Sequence, residues 1–158
     1  CEPFRCFINP DDDSFVSPGN LPKRVQEFCQ RTGQYVPQTR GEIMRCIYES
    51  LAMKYRYTFH AIREVTGLEY TSIHMIGGGT KDRLLCQMAA DACATHVIAG
   101  PIEATATGNI AVQLIALGEI ADLKEARKVI AASEQPKFYE PVDTAAYDAA
   151  YARFEKLL

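Results

Sequence analysis

Three consecutive glycines, Gly77, Gly78 and Gly79, point more directly to chemistry than any other residues of this sequence. In SIHMIGGGTKDRLLCQMAADAC they join a short apolar, β-branched run to a helical pattern. Glycine permits positive φ, and its missing Cβ lets a ligand approach the backbone. The following helix directs free N–H groups and the positive end of its dipole at the turn. The pattern predicts a phosphate or nucleotide site; a tight turn chosen for packing alone is the alternative.

The familiar nucleotide motifs do not fit this turn. A dinucleotide fold requires G-x-G-x-x-G, but Asp82 occupies the place of the third glycine, where a carboxylate would also repel pyrophosphate. Glu103 only superficially resembles the acidic residue that binds a ribose. A Walker loop ends in Gly-Lys-Ser/Thr, which the sequence lacks. A small dinucleotide-dependent oxidoreductase is therefore a disfavoured hypothesis, and bound NADH fluorescence would be its sign.

The elements that must position the turn follow from periodicity and from proline and glycine positions. Two strands separated by one helix form a βαβ unit, so they should be parallel with a right-handed crossover. The sequence thus predicts an α/β, helix-rich chain with a short parallel sheet. Strands are expected at 71–76 and 95–100, and helices at 22–31, 40–66, 81–94, 103–117, 123–132 and 143–158.

Three of these helices carry apolar residues at steps of three and four, which predicts faces that pack in the core. The longest run lies on the predicted helix at 40–66, which is called α2 below. This α2 apolar stripe is interpreted as core packing rather than a binding face. It consists of Met44, Ile47, Leu51, Tyr55, Thr58, Ile62 and Val65. The helix after the glycines carries Leu84, Leu85, Met88, Ala89 and Ala92, and the last helix Tyr147, Tyr151, Phe154 and Leu158.

Composition bounds the class of protein. The chain has 158 residues, with 47% hydrophobic and 23% charged residues, which is ordinary for one globular domain. Its net charge of −3 argues against a nucleic-acid partner. No apolar run approaches the roughly 18 residues of a membrane span, and a cytoplasmic location is expected. Since the first residue is Cys1 rather than Met, we expect a piece of a longer polypeptide.

Six cysteines are interpreted as reduced thiols, because the chain is large and lacks secretory signs. Cys86 and Cys93 lie seven apart on one predicted helix, roughly 10 Å along its axis, too far for a disulfide. Cys29 and Cys46 fall on neighbouring predicted helices and could meet. Whether they form a bond is left open.

The remaining candidates for chemistry are weak. His60, His74 and His96 share no metal-ligand spacing, and the last two fall in strand patterns that predict packed side chains. Cys86 has no local base that would activate it as a nucleophile. The acidic run at 11–13 is interpreted as a solvated loop, because nothing supplies the rest of a coordination shell. No catalytic residue and no metal ligand is predicted in this chain.

The segments IHMIGGGTKDRLLCQMAADAC and VIAGPIEATATGNIAVQLIALGEI resemble the carboxy-terminal domain of the FGGY carbohydrate kinases. In that family a G-G-G/A-x-x-N turn binds adenosine, and an E-A-T/S-x-x-G-N segment follows the next strand. The lead-in EPFRCFINPDDDSFVSPGNLPKRVQEFCQRTGQYVP is more specific and resembles one particular sugar kinase of the family. The resemblance extends from Glu2 to about Pro141, with the motifs in order and at matching spacing.

The resemblance implies a fold like that of actin and Hsp70, in which two ribonuclease-H-like domains enclose a nucleotide cleft. Such kinases transfer the γ-phosphate of ATP to a sugar hydroxyl with Mg²⁺. It also implies that the catalytic Asp, the phosphate loops and most sugar contacts lie upstream of this chain. The chain, 1–158, would be the last part of the second domain, and its partners would be ATP or ADP, the sugar and the absent N-terminal domain.

The site residues that the resemblance implies are few. Gly77, Gly78 and Gly79 match the adenosine turn, with Gly78 at its centre. Asp82 stands where the family commonly has an Asn that touches the nucleotide, and an ionised Asp accepts hydrogen bonds but cannot donate them. The segment 103–109 matches a stretch packed behind the cleft, in which Thr105 and Asn109 are interpreted as structural.

A kinase fragment inactive by itself is therefore the leading hypothesis. The alternative is a stand-alone nucleotide- or partner-binding module without catalysis. Since a partial domain exposes what its missing part would cover, we also expect self-association through the α2 apolar stripe and the open edge of the sheet.

Overall fold

A computed structural model describes residues 1–133 and 135–158 of the chain. An extended lead-in with one 3-10 turn, Asp13–Phe15, precedes all regular elements. The helices are α1 (Leu21–Arg31), α2 (Arg40–Thr66), α3 (Arg83–Cys93), α4 (Ala104–Ala116), α5 (Leu123–Ser133) and α6 (Thr144–Glu155). The strands are β1 (Ser72–Met75), β2 (His96–Ala99) and β3 (Lys137–Tyr139).

The sheet has the order β1-β2-β3 and is mixed. Strands β1 and β2 pair in parallel, with Ser72 opposite His96 and Met75 opposite Ala99, so the predicted parallel pair is confirmed. Strand β3 was not predicted, and it pairs with β2 in the antiparallel direction, with Ile98 opposite Phe138. The short sheet is therefore mixed, because the predicted parallel pair is extended by one antiparallel strand. Three residues after a proline carry too little periodicity to be recognised as a strand.

Helix α2 has the bounds that the sequence predicted, because both of its ends carry strong local signals. Thr39 and Glu42 form a reciprocal capping box at the N-terminus. At the C-terminus Gly67 takes a left-handed conformation, with φ of 64°, which glycine adopts without strain. The helix packs mainly against α3, and also against α1 and α6.

The predicted burial of the α2 apolar stripe was wrong for most of its members, although Ile47 packs against the core and Leu51 is half-buried. Met44, Ile62 and Val65 are exposed, the last at 87%, and Tyr55 and Thr58 are exposed as well. The buried face of α2 lies beside the stripe. It includes small and polar residues, which a search for large apolar residues at helical spacing does not detect. Its members are Ile43, Cys46, Glu49, Ser50, Ala52, Met53 and Phe59.

One apolar cluster joins the lead-in to α2, α3 and α6. Phe7, Met53 and Phe154 are all at most 1% exposed and belong to one apolar cluster. The rings of Phe7 and Phe154 meet edge to face, with centroids 6.0 Å apart. Of the predicted α6 stripe, Tyr147 and Phe154 are buried, whereas Leu158 is 42% exposed. On α3, Ala89 and Ala92 are buried as predicted, but Leu84 is 60% exposed.

Side chains of the helical part hold the lead-in through its backbone. Gln34 accepts the N–H of Phe7 with Oε1 and donates to the carbonyl of Phe7 with Nε2, both at 2.8 Å. Ser50 Oγ accepts the N–H of Ile8 at 2.9 Å, and Glu49 accepts the N–H of Phe4 at 2.8 Å. These peptide groups of the extended segment are thus satisfied by side chains rather than by pairing in the sheet.

Helices α4 and α5 form a separate hairpin with a small core of its own, built on Ala111, Ile120 and Ala126. Ala111 is the one buried residue of α4. Large apolar side chains of the hairpin face outward, among them Ile110, Val112, Leu117, Leu123 and Val129. Among the described helices, none combines the length and the apolar character that crossing a membrane would require.

Candidate functional site

The glycine turn lies at the carboxyl ends of the two parallel strands. The N–H of Gly77 donates to the carbonyl of Pro101 at 3.0 Å, and the N–H of Gly100 donates to the carbonyl of Met75 at 2.8 Å. These two bonds join the segments that leave β1 and β2. The turn then continues as a 3-10 helix, Gly78–Lys81, into α3. Ligands of open α/β sheets bind at this edge, outside the carboxyl ends of the strands.

Packing within the chain does not explain all three glycines. Gly77 has φ of 85°, which favours glycine whatever the surroundings. Gly78 and Gly79 have no such φ, and a Cβ built on either would meet no atom within 4 Å. Neither backbone conformation nor crowding inside the chain therefore requires glycine at 78 or 79. The turn offers bare backbone to the space in front of it.

Thr80 and Asp82 fix the shape of the turn. Thr80 donates through both Oγ1, at 2.7 Å, and its N–H, at 3.1 Å, to the carbonyl of Gly77. Asp82 is the N-cap of α3, where its Oδ1 accepts the N–H of Leu85 at 3.1 Å. Its other oxygen accepts the hydroxyl of Tyr48 on α2. These two donors lower the pKa of Asp82, so the carboxylate is ionised and structurally engaged.

The contact between Tyr48 and Asp82 was not predicted from the sequence. The two residues are 34 positions apart, and no local pattern relates them. The N-cap role could have been recognised, since an Asp directly before a helical pattern is a preferred cap. The carboxylate of Asp82 therefore has two partners within the chain.

Segment 103–109, which resembles the E-A-T/S-x-x-G-N motif, leads into α4. Its polar side chains form hydrogen bonds within this helix and its cap. Thr107 Oγ1 donates to the carbonyl of Glu103 at 3.0 Å, and Asn109 Oδ1 accepts from Gln113 at 2.6 Å. Contacts within one helix agree with the structural interpretation of Asn109.

A cavity of about 610 Å³ lies between the start of the lead-in, α2, α3 and α6. Tyr48 and Leu84 bring it close to the cap at Asp82, while Phe4, Met88 and Tyr147 line it further along. Its volume is in the range of sites that hold small molecules. The three glycines do not line it.

Three buried thiols from three different segments converge beside the lead-in. Cys6, Cys29 and Cys46 are each at most 4% exposed, and their sulfur atoms lie within 4.8 Å of one another. Cys29 and Cys46 do meet, as expected, but in the structure all six thiols are free. Hydrogen bonds from Cys46 and Cys6 lower the pKa of Cys29, and the same contact with Cys29 raises the pKa of Cys6 to about 12. No sequence pattern predicted that Cys6 lies beside Cys29 and Cys46.

Other predicted positions lie away from any site. His74 and His96 are exposed rather than packed, because they lie on the sheet face opposite α3. His60 contacts the ring of Tyr151. In the acidic run, Asp12 caps the 3-10 turn and pairs with Arg31 at 2.9 Å, which agrees with the interpretation as a loop.

Comparison with solved structures identifies the fold. The crystal structure of xylulose kinase from Rhodospirillum rubrum matches 79% of this chain and 25% of that chain, with a TM-score of 0.61 and 24% identity. At this identity the match concerns the fold, which is that of part of a sugar kinase. The turn at Gly77–Gly79 thus lies on a helix-rich α/β fold shared with a known kinase.

The chain belongs to the FGGY family of carbohydrate kinases, whose C-terminal domain it matches over residues 1–117. It is similar to rhamnulokinase of Bacteroides thetaiotaomicron, with 46% identity over 155 residues, covering 98% of this chain and 32% of that protein. It is also similar to rhamnulokinase of Bacillus subtilis, with 43% identity over 142 residues, covering 90% of this chain and 29% of that protein. The chain spans about a third of the length of these relatives.

Proposed function

We propose that this chain forms the adenosine side of the ATP cleft of a kinase that converts L-rhamnulose to L-rhamnulose 1-phosphate in rhamnose catabolism. Gly77, Gly78, Gly79 and Asp82 are the proposed nucleotide-binding residues. The relatives are about three times as long as this chain. An N-terminal domain and the start of the C-terminal domain would complete the cleft. The chain alone would be inactive.

The observation that supports this proposal most strongly is the open space around Gly78 and Gly79. Glycine at a position that requires neither positive φ nor close packing is unfavourable, because it adds conformational freedom to the unfolded chain. A nucleotide that contacts the bare backbone supplies a reason for both residues. The start of α3 would add its dipole and its free N–H groups.

Asp82 would act on the nucleotide mainly by holding the turn. Its carboxylate is engaged by Tyr48 and by the N–H of Leu85. An ionised carboxylate can accept a hydrogen bond from an amino group but cannot donate one. We therefore expect its direct contribution to be small, and its capping of α3 to be its main role.

Magnesium does not fit the side chains of this chain. Within residues 1–133 and 135–158, the one convergent group of three or more ligand-type side chains is the set of three cysteines. Mg²⁺ prefers oxygen ligands, usually carboxylates and phosphate oxygens. Magnesium would therefore be held by the nucleotide and by residues outside this chain.

The sugar assignment rests on the relatives. Both curated relatives named above are rhamnulokinases, each more than 40% identical over at least 90% of this chain. The lead-in that resembles this kinase at the sequence level packs against α2 and α6. No observation favours the alternative of a stand-alone binding module.

A chimera tests the proposal directly. The C-terminal third of the Bacteroides thetaiotaomicron rhamnulokinase is replaced by this chain, and ATP-dependent phosphorylation of L-rhamnulose is measured. We expect activity within about tenfold of the parent, and none from residues 1–158 alone. A folded but inactive chimera, or phosphorylation by the chain alone, would contradict the proposal.

Gly78→Val in the same chimera tests the nucleotide site. We expect its KM for ATP to rise at least about tenfold, while its KM for L-rhamnulose stays within about twofold, because the new side chain lies where the nucleotide would approach. Gly41→Val is the matched control, since Gly41 lies on α2 outside the proposed site and a Cβ there meets only Cys1 Sγ at 3.9 Å, an ordinary contact. An unchanged KM for ATP would remove Gly78 from the site.

A further inference from the structure

Tyr48 connects α2 to the glycine turn. Its hydroxyl donates a hydrogen bond to Oδ2 of Asp82, at the junction between the turn and α3. The ring is carried by a long helix whose start is fixed by the capping box of Thr39 and Glu42 and which packs against α3. A rigid support therefore holds this hydroxyl against the carboxylate.

The carboxylate of Asp82 lies among backbone N–H donors. The N–H of Asp82 donates to the carbonyl of Gly79 at 3.1 Å, and Oδ1 of Asp82 accepts the N–H of Leu85 at 3.1 Å. The first N–H groups of a helix have no acceptor within that helix, so the start of α3 and the turn before it present further donors. A carboxylate oxygen without a partner would bind such donors strongly, because hydrogen bonds to an ionised group are stronger than those between neutral groups.

Tyr48 engages the oxygen that would otherwise lack a partner. This bond lowers the pKa of Asp82 and raises the pKa of Tyr48, as expected where a neutral hydroxyl donates to an ionised carboxylate. The carboxylate is thus held at Oδ1 by the cap of α3 and at Oδ2 by Tyr48. The backbone of Gly78 and Gly79 stays open to a ligand.

We propose that Tyr48 is a positioning residue of the nucleotide site, which keeps the carboxylate of Asp82 away from the backbone groups that the nucleotide would contact. This inference rests on the proposed function and adds to it a residue outside the glycine motif. Tyr48 acts through Asp82 and does not itself need to touch the nucleotide. Without the Tyr48 hydroxyl, the carboxylate would compete with the nucleotide for the turn.

Tyr48 and Asp82 should therefore behave as a unit. Asp82→Asn keeps a side-chain oxygen that can cap α3, but it removes the charge that requires a second donor. Loss of the Tyr48 hydroxyl should thus weaken nucleotide binding when Asp82 is present and have little effect in the Asp82→Asn background. A hydroxyl that only stabilised the packing of α2 on α3 would show no such dependence.

Calorimetric titration of the purified chain with ADP tests this coupling. Tyr48→Phe should weaken ADP binding about 3- to 10-fold, the size expected for the loss of one hydrogen bond. Tyr48→Phe combined with Asp82→Asn should bind ADP within about twofold of Asp82→Asn alone. Tyr55→Phe is the matched control, because Tyr55 lies on the same helix and is 37% exposed outside the proposed site. Circular dichroism shows whether each variant is folded.

The chimera described above adds a kinetic measurement. Tyr48→Phe should raise its KM for ATP by a similar factor, while kcat and the KM for L-rhamnulose stay within about twofold. A change in KM for ATP alone is expected of a residue that positions the nucleotide site. A general loosening of the domain would also lower kcat.

Two results would overturn the inference by itself. The first is a folded Tyr48→Phe variant that binds ADP as tightly as the unaltered chain. The second is an equal loss of ADP binding from Tyr48→Phe with Asp82 and with Asp82→Asn, because it would reduce the role of Tyr48 to packing. A chimera without kinase activity would instead contradict the proposed function, and the ADP titration would still decide the role of Tyr48. Absence of ADP binding by both the chain and the chimera would overturn the two together.

Discussion

Helices α2 and α4 are both rich in apolar residues, but they are packed in different ways. Helix α2 contacts α1, α3 and α6 and buries seven residues. Helix α4 packs on α5 and buries Ala111, while Ile110 and Val112 are each 58% exposed. A helix that is apolar on every side is typical of the interior of a larger protein. The comparison indicates which part of this chain is complete as a core and which part needs a covering surface.

The relatives give this contrast a physical reason. They are about three times as long as the matched region, so a homologous full-length protein has ample chain to cover the α4–α5 hairpin. The sheet face that carries His74 and His96 is open in the same way, and Phe138 on it is 70% exposed. We expect the two regions to respond differently to substitution, and the following predictions use that difference.

The largest effect is expected in the packed region. Phe154→Ala removes a ring with no exposed surface from the contacts of α6 with the lead-in and α2, and should lower the free energy of unfolding by about 3–5 kcal/mol. Val112→Ala on α4 should change it by at most about 0.5 kcal/mol. Urea denaturation measures both, and comparable losses would show that the hairpin is as tightly packed as the main core.

An intermediate effect is expected at the cap of α3, which α2 contacts through Tyr48. Asp82→Ala should cost about 1 kcal/mol, whereas Asp82→Asn keeps a capping side chain and should cost less than about 0.5 kcal/mol. Folding lowers the pKa of Asp82. The ionised carboxylate therefore stabilises the folded chain at pH values above the pKa that Asp82 has in the unfolded chain. This stabilisation is lost as the pH falls towards and below about 4.

Urea denaturation of both Asp82 variants between pH 3 and 7 checks this prediction. The stability difference between the unaltered chain and Asp82→Asn should shrink at the acidic end of that range. If Asp82→Ala were as stable as Asp82→Asn at pH 7, the contact of the carboxylate with Leu85 would have no capping value.

The smallest change in stability, with a clear change in association, is expected on the exposed hairpin. The double variant Val112→Lys and Leu117→Lys should alter the free energy of unfolding by less than about 0.5 kcal/mol. It should lower self-association, because exposed apolar side chains cluster on this hairpin. Sedimentation at rising concentration measures the change, with Lys124→Glu as a charge-changing control. A chain that is monomeric without substitution would contradict the predicted self-association.

The sequence predicted element positions better than it predicted burial. The ends of α2 were found because Thr39, Glu42 and Gly67 are local signals whose effect does not depend on the rest of the fold. The α2 apolar stripe was misjudged because periodicity identifies an apolar side but not its neighbour in space. Cys46 and Ser50 are buried for tertiary reasons, through contacts with the lead-in.

The candidate site likewise has one part that the sequence predicted and another part that it did not. Gly77–Gly79 could be located from sequence because a strand, three glycines and a helix form one continuous pattern. The bond between Tyr48 and Asp82 and the association of Cys6 with Cys29 and Cys46 arise from residues far apart in the chain. Single-sequence patterns carry no information on such distances, so these features required the three-dimensional structure.

The way in which the lead-in is attached has a consequence for how its sequence can vary. Gln34, Glu49 and Ser50 bind peptide N–H and carbonyl groups, which nearly every residue type provides. The first residues of the chain therefore resemble a peptide ligand held by a receptor groove, with affinity from its backbone and selectivity from the pocket around Phe7. Exposed positions such as Glu2 can change freely, and a chain cleaved in the exposed loop at 16–19 would keep its first segment bound without a covalent link.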